Sequence, residues 1–233
     1  MKIIGIIGGM GPEATVDLYA KIIKLTPASK DQEHLHVLID GYAQIPDRTN
    51  FILERSDEDP APFIIEAAFN LEKAGADVLC MPCNTAHYFL PEVQKHVSIP
   101  FISIVDSVIN CLKAMPSKPS KVFVMATTGT REAKVYETKL LERNFEVLPL
   151  PEDVQRDLMR CIYEGVKQGK TLEFAPLYQS VLDRLSALGA DALIAACTEL
   201  PILQAHVTTQ VPVVDATLEL AKACVEFGLE KKL

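Results

Sequence analysis

The chain has 233 residues, 48% of them hydrophobic and 23% charged, and a net charge of −8. An acidic balance argues against a nucleic-acid-binding surface, because phosphates are neutralised by clustered Lys and Arg. No apolar run approaches the ~18 residues that cross a membrane, and six cysteines are too few for a disulfide scaffold. We therefore expect a cytoplasmic protein with free thiols that binds neither nucleic acid nor membrane.

Short β-branched runs alternate with longer stretches of helical spacing along the chain. The predicted strands are residues 3–7, 36–39, 78–81, 101–105, 122–125, 192–195 and 211–214. The predicted helices are residues 15–25, 62–74, 91–97, 132–144, 154–168, 174–188 and 216–227. Continuous apolar strands between amphipathic helices predict an α/β fold with parallel sheets covered on both faces. Residues 40–62 show no periodicity and are predicted to form a long loop.

The chain also contains an internal repeat. Residues 75–83 match residues 189–197, with a shared Gly-Ala-Asp and a final cysteine, Cys83 or Cys197. The glycine-containing segment at residues 2–11 similarly matches residues 121–130. The repeat predicts two similar Rossmann-like, doubly wound domains related by pseudo-two-fold symmetry. We expect the first domain to comprise residues 1–103 and 212–233, and the second to comprise residues 104–211.

The repeated cysteines suggest a chemistry. Ligands of parallel sheets bind beyond the carboxyl ends of the strands, where Cys83 and Cys197 are expected. If the two halves face each other, the thiols flank one cleft from opposite sides. Inversion of a carbon stereocentre needs such a pair, because one base removes a proton from one face and the other thiol returns a proton to the opposite face.

The residues around the thiols carry a family resemblance. The relevant segments are Gly8-Gly9-Met10-Gly11-Pro12, Ile45-Pro46-Asp47-Arg48-Thr49, Pro82-Cys83-Asn84-Thr85-Ala86-His87, Ala126-Thr127-Thr128-Gly129-Thr130, Ile162-Tyr163-Glu164-Gly165-Val166-Lys167 and Cys197-Thr198-Glu199. The sequence resembles the aspartate/glutamate racemase family, and its aspartate racemase branch most closely. The resemblance implies two Rossmann-like domains with the active site between them, no cofactor, no metal and a homodimer.

The resemblance also implies roles for individual residues. Cys83 and Cys197 correspond to the two catalytic acid/bases. The other corresponding residues are substrate-binding: Asn84, Thr85 and Thr127 for the α-carboxylate and amine, Met10 over the substrate, and Arg48 and Lys167 for the side-chain carboxylate. Glu199 either orients the substrate ammonium or tunes the thiol of Cys197. The implied reaction is the interconversion of L- and D-aspartate without pyridoxal phosphate.

Several alternatives stay open on the sequence. Glutamate differs from aspartate by one methylene, and a broad-specificity racemase or a non-catalytic amino-acid-binding protein would share the fold. His87 either helps to deprotonate Cys83 or fills space. Cys80 and Cys83 form a CxxC pattern, but residues three apart in a strand lie on opposite faces, which argues against a redox or metal site. Cys111, Cys161 and Cys224 are expected in the core.

Overall fold

The computed structural model describes residues 1–230 and divides into two compact units. Unit 1 is Met1–Ser107 with the segment that begins at Thr217, and unit 2 is Val108–Ala216. Within the described residues, each unit holds one four-stranded sheet, ordered β2-β1-β3-β4 in unit 1 and β6-β5-β7-β8 in unit 2. Every strand pair is parallel, which confirms the predicted α/β fold.

The strands are short, and those at the centre of each sheet are apolar and buried. They are β1 (Ile4–Ile7), β2 (Val37–Asp40), β3 (Val78–Cys80), β4 (Phe101–Ile102), β5 (Lys121–Met125), β6 (Glu146–Val147), β7 (Ala192–Ala195) and β8 (Val213–Asp215). All residues of β1, β3 and β7 are buried, as expected of central strands covered on both faces. The two-residue strand β6 was not predicted, because it lies at a sheet edge and has no apolar run.

Helices flank both sheets. They are α1 (Pro12–Leu25), α2 (Arg48–Ile52), α3 (Ala61–Lys73), α4 (Leu90–Val93), α5 (Ile104–Ala114), α6 (Thr128–Glu132), α7 (Glu137–Glu142), α8 (Glu152–Arg160), α9 (Thr171–Ala187), α10 (Leu200–Gln204) and α11 (Ala216–Gly228). Helix α3 illustrates why they form, because its buried residues recur every three to four positions and face the sheet of unit 1. Within residues 1–230, no helix is long and apolar enough to cross a membrane.

Several predicted elements are wrong in part. The strand predicted at residues 101–105 stops at Ile102, because the Ser103 hydroxyl accepts a hydrogen bond from the Asp106 N–H (3.2 Å) and begins helix α5. The loop predicted at residues 40–62 contains helix α2, which the Asp47 carboxylate caps by accepting from the Asn50 N–H (2.8 Å). The helix predicted at residues 132–144 is instead divided between α6 and α7.

The helix predicted at residues 154–168 is continuous only in part. Helix α8 ends at Arg160, a π-helical turn follows over Cys161–Gly165, and a 3-10 turn over Val166–Gln168 completes the segment. π-Helical turns are rare in proteins, and those that occur are often found at functional sites. The segment is therefore a distorted connection between β6 and α9, and it carries Lys167.

The repeated Gly-Ala-Asp has a structural explanation. Asp77 accepts a hydrogen bond from the Ile3 N–H (2.7 Å), and Asp191 accepts from the Lys121 N–H (2.9 Å). Each carboxylate thus fixes the amino end of the first strand of its sheet. The glycines before them, Gly75 and Gly189, have positive φ angles of 99° and 80°, as expected where a helix ends. This part of the repeat lies at the strand ends opposite to the cysteines.

Candidate active site

Most residues implicated by sequence follow the carboxyl ends of strands. In unit 1, Met10 follows β1, Arg48 opens the helix after β2, and Cys83 follows β3. In unit 2, Thr127 follows β5 and Cys197 follows β7. These ends are the ligand-binding edges of parallel sheets. The repeat therefore gives each unit a thiol at the corresponding edge.

The loop that carries Met10 is tightly packed. Gly9 has φ +87°, and a Cβ at this position would lie 2.3 Å from the carbonyl carbon of Tyr42, so only glycine fits. The Thr15 hydroxyl accepts from the Gly9 N–H (2.9 Å) and donates to the Gly11 carbonyl (3.1 Å). Met10 is buried and belongs to the same apolar cluster as Cys83. The structure thus places these two predicted site residues in one apolar cluster of unit 1.

Cys83 lies in a turn between β3 and a 3-10 helix at Thr85–Tyr88. Cys83, Asn84 and Thr85 are all buried. His87 is buried as well, and its ring meets two backbone groups: Nδ1 lies 2.9 Å from the Cys83 carbonyl oxygen, and Nε2 lies 3.1 Å from the Ile104 nitrogen. The segment around the thiol is consequently ordered by local hydrogen bonds.

Arg48 is the first residue of α2, and its guanidinium is buried against the preceding turn. Nη1 donates to the carbonyl oxygens of Ile45 (3.0 Å) and Pro46 (2.9 Å). Nε is also buried, and no partner for it is found among the described residues. A buried donor on a charged group without an acceptor is uncommon and indicates a place where an anion would be stabilised.

Cys197 has a carboxylate partner two residues along the chain. Its Sγ donates to Glu199 Oε2 over 3.0 Å, and the Thr198 hydroxyl approaches the same oxygen at 3.3 Å. Cys197 and Glu199 are both buried. Burial raises the pKa of the Cys197 thiol well above its usual value, the nearby Glu199 charge raises the pKa further, and Lys167 opposes the rise. These effects favour the protonated form of the Cys197 thiol.

Thr127 is held by a residue that the sequence analysis missed. Its hydroxyl accepts from the Thr130 N–H (3.2 Å), which makes Thr127 the N-cap of α6. Gln155 of α8 is buried, and its Nε2 donates to the Ala126 carbonyl (3.0 Å), so it fixes the residue before Thr127. The signal was present as a polar residue on the apolar face of α8, next to Val154 and near Leu158.

Lys167 follows the π-helical turn of unit 2 and is exposed. Its ammonium lies 4.3 Å from the ring centroid of Tyr163, a cation–π contact that the sequence analysis also missed. Gly165 lies between them, and a Cβ there would come within 2.9 Å of Phe174. The Lys167 charge opposes the rise in the pKa of Cys197, a residue of the same unit.

The remaining cysteines differ from Cys83 and Cys197. Cys80 is fully buried, and a hydrogen bond with Cys224 together with burial raises its pKa well above the usual value. Burial also raises the pKa of Cys161 to about 12. Cys111 is only half-buried, contrary to the expected core position. The described residues contain no group of three or more His, Cys, Asp or Glu side chains that could hold a metal ion.

The parallel sheets, and the cysteines that follow β3 and β7, define an α/β protein that carries a thiol at the corresponding sheet edge of each of its two units. A family model described as Asp/Glu/Hydantoin racemase matches residues 7–224. The chain therefore belongs to this family and is a racemase, an isomerase that acts on small amino-acid substrates.

Similar proteins extend over nearly the whole chain. The broad specificity amino-acid racemase RacX of Bacillus subtilis is 31% identical, with 97% of this chain and 98% of the relative covered. The structure of Picrophilus torridus aspartate racemase is also 31% identical and superposes with a TM-score of 0.85, covering 100% of this chain and 96% of that chain. Glutamate racemase from Francisella tularensis, solved with D-glutamate, shares the fold at 19% identity (TM-score 0.71; 98% of this chain and 81% of that chain).

Proposed function

We propose that the protein interconverts L- and D-aspartate without pyridoxal phosphate, with Cys83 and Cys197 as the two acid/base groups. The observation that carries the proposal is the equivalence of the two cysteines, each just beyond the corresponding central strand, β3 or β7. A structural role alone does not explain why both copies of the repeat keep a cysteine there and surround it with buried polar residues.

The proton transfer uses both thiols in each turnover. One cysteine, as the thiolate, accepts the α-proton while the Cα–H bond breaks. The electron pair left on Cα then takes the proton of the other thiol on the opposite face, which leaves the second cysteine as the thiolate. In the reverse direction the two cysteines exchange roles. The proton count balances, and no oxidant or reductant is needed.

The polar residues beside the thiols supply the electrostatic stabilisation that the carbanion requires. We assign the α-carboxylate and amine to Asn84, Thr85 and Thr127, all of which are buried. Hydroxyl and amide groups fixed in a dry site stabilise charge that develops in the transition state. Met10, packed in one cluster with Cys83, is assigned to the wall above the substrate.

Arg48 and Lys167 are assigned to the side-chain carboxylate of aspartate. The net charge of −8 repels a dianion, so local cations must attract it. The two carbonyl bonds of Arg48 Nη1 fix the guanidinium, and the unpartnered Nε supports a bound carboxylate. Lys167 belongs to unit 2, where its charge opposes the rise in the pKa of Cys197.

Glu199 is assigned to Cys197 because its carboxylate accepts the thiol hydrogen bond. This hydrogen bond keeps the sulfur protonated until the carbanion takes the proton. Orientation of the substrate ammonium is the other role that the sequence analysis gives to this carboxylate. The family resemblance further supports a homodimer, which sedimentation would reveal as twice the 25.7-kDa chain mass.

A broad-specificity racemase is the second candidate, because RacX of Bacillus subtilis is similar over the whole chain. Purified, reduced protein free of pyridoxal phosphate should be assayed by chiral chromatography against all common amino acids. The proposal expects aspartate to racemise fastest, with glutamate slower. Comparable rates for many neutral amino acids would favour the second candidate, and no racemisation without added cofactor would contradict the proposal.

A further inference from the structure

The His87 ring contacts two backbone groups, one of which can only accept a hydrogen bond and the other only donate one. The Cys83 carbonyl can only accept a hydrogen bond, so Nδ1 of His87, 2.9 Å away, must carry the proton. The Ile104 N–H can only donate, so Nε2, 3.1 Å away, must present its lone pair. The two contacts are therefore compatible with one state of the ring, the neutral Nδ1–H tautomer.

Both backbone groups need such a partner. Ile104 is the first residue of α5, and the first four N–H groups of a helix have no acceptor within it. Cys83 precedes the 3-10 helix, in which the His87 N–H donates to the Asn84 carbonyl rather than to that of Cys83. One imidazole thus satisfies both groups in a buried region, where unpaired backbone groups are costly.

The same geometry argues against His87 as the base for Cys83. A ring that took up a proton would point an Nε2–H at the Ile104 N–H and lose that hydrogen bond. Since Nδ1 already donates to the Cys83 backbone, neither nitrogen is available to the Cys83 sulfur unless a contact breaks. The spacing of four residues between Cys83 and His87 therefore allows the ring to hydrogen-bond with the Cys83 carbonyl rather than with the thiol.

We propose that His87 is a positioning residue that, as a neutral imidazole, fastens the Cys83 turn to the start of α5. The inference rests on the catalytic role proposed for Cys83. The ring binds the carbonyl of Cys83, the residue that carries the proposed catalytic thiol. Loss of the ring therefore changes the position of the sulfur but removes no acid or base from the reaction.

Substitutions separate this role from proton transfer. The amide nitrogen of His87→Asn lies where Nδ1 was and can donate to Cys83, and the amide oxygen of His87→Gln lies where Nε2 was and can accept from Ile104. His87→Leu keeps the volume and neither hydrogen bond. We expect the Asn and Gln variants to retain kcat within ~10-fold, and the Leu variant to lose ~10²-fold, the scale of a displaced catalytic group.

The pH dependence adds a readout that packing alone would not change. In His87→Asn, the shape of the pH profile of kcat and the pH dependence of Cys83 alkylation should match those of the unmodified protein. His36→Asn, an exposed histidine of the same unit, is the matched control. A loss of ~10²–10⁴-fold in both the Asn and Gln variants, or a missing ionisation in either profile, would show that His87 transfers protons and would overturn the inference.

Nitrogen-15 NMR of the unsubstituted protein keeps the test independent of folding and of activity. The His87 ring, assigned from the signals missing in His87→Asn, should be neutral with its proton on Nδ1 at pH 7.5. A proton on Nε2, or a charged ring, would contradict the inference. If Cys83→Ser instead keeps full racemase activity, the proposed function fails while the tautomer assignment stands.

Discussion

In both units a cysteine follows the second central strand of a four-stranded parallel sheet, Cys83 after β3 and Cys197 after β7. Their surroundings differ. Cys197 donates its thiol hydrogen to Glu199, whereas the segment after Cys83 contains an imidazole that binds the backbone of the same cysteine. The repeat has therefore kept the scaffold and the position of the sulfur, while the residues that follow each sulfur have diverged.

The two ends of the strands differ in how closely the repeat is kept. The Asp77 and Asp191 contacts at the opposite strand ends are nearly the same in the two units, because they serve the fold. The contacts at the carboxyl ends are unlike, and we propose that they give the two thiols different proton affinities. Burial first, and the Glu199 charge second, raise the pKa of Cys197 and so favour its protonated form.

The largest expected effect comes from the thiols themselves. Cys83→Ala and Cys197→Ala should each lower kcat/KM for aspartate by ~10²–10⁴-fold or more, because each removes an acid/base group. The loss must be equal in both directions, since the two enantiomers have the same free energy. Chiral chromatography measures it. Cys111→Ala, at a half-buried cysteine outside the site, is the matched control. Full activity in either Cys83→Ala or Cys197→Ala would contradict the proposal that both thiols take part in the proton transfer.

The cations should come next in magnitude. Arg48→Ala or Lys167→Ala should weaken aspartate turnover by at least ~30-fold, because removal of one partner from a desolvated charge pair costs about 2–5 kcal/mol. Arg48→Lys should restore little, since the planar fork is lost. Steady-state kinetics with aspartate and alanine measure the effect, and the alanine rate should not fall.

Two surface cations serve as controls for that experiment. Arg55 and Lys170 are exposed neighbours of the two site residues, and their alanine variants should leave aspartate kinetics unchanged. Near-normal kinetics in both Arg48→Ala and Lys167→Ala would mean that neither cation recognises the substrate, and the preference for a dicarboxylate would lose its basis.

A smaller effect sharpens the contrast between the two thiols. Glu199 raises the pKa of Cys197, so Glu199→Gln lowers that pKa and increases the thiolate fraction at pH 8. Alkylation of Cys197 by iodoacetamide, followed by peptide mass spectrometry, should accelerate by at least ~3-fold. Cys83 in the same sample is the internal control and should react at its original rate. An unchanged rate of Cys197 alkylation would contradict the claim that Glu199 raises the pKa of this thiol.

The last predicted effect is on stability rather than on activity. Burial raises the pKa of Cys161 to about 12, above its value in the unfolded chain, so the folded state retains a proton that the unfolded state loses. The stabilisation is complete below about pH 8.5 and is lost as the pH rises toward 12. Urea unfolding at pH 8 and pH 10.5 should show a smaller decline for Cys161→Ala, by up to ~1.4 kcal/mol per pH unit. An equal decline would contradict the assignment.

Much of this architecture could be predicted from the sequence, because the repeat and the apolar strands are local signals. The position of Cys83 and Cys197 beyond strands follows from the same pattern. The interruption of the predicted helix at Cys161–Gly165 could not be predicted, since a π-helical turn depends on packing such as that of Gly165 against Phe174. The hydrogen bond between the Ile104 N–H and His87 could not be predicted either, because the two residues are 17 positions apart along the chain.

The central claim is that two thiols divide the proton transfer, and exchange at Cα tests it most directly. The reduced protein should be incubated with L-aspartate in heavy water, and early D-aspartate should be separated and analysed by mass spectrometry. The account predicts that each D-aspartate molecule carries one deuterium at Cα, because the donating thiol has exchanged with solvent. D-Aspartate that retains its original hydrogen would require a single base that carries the proton between faces, and it would contradict the account.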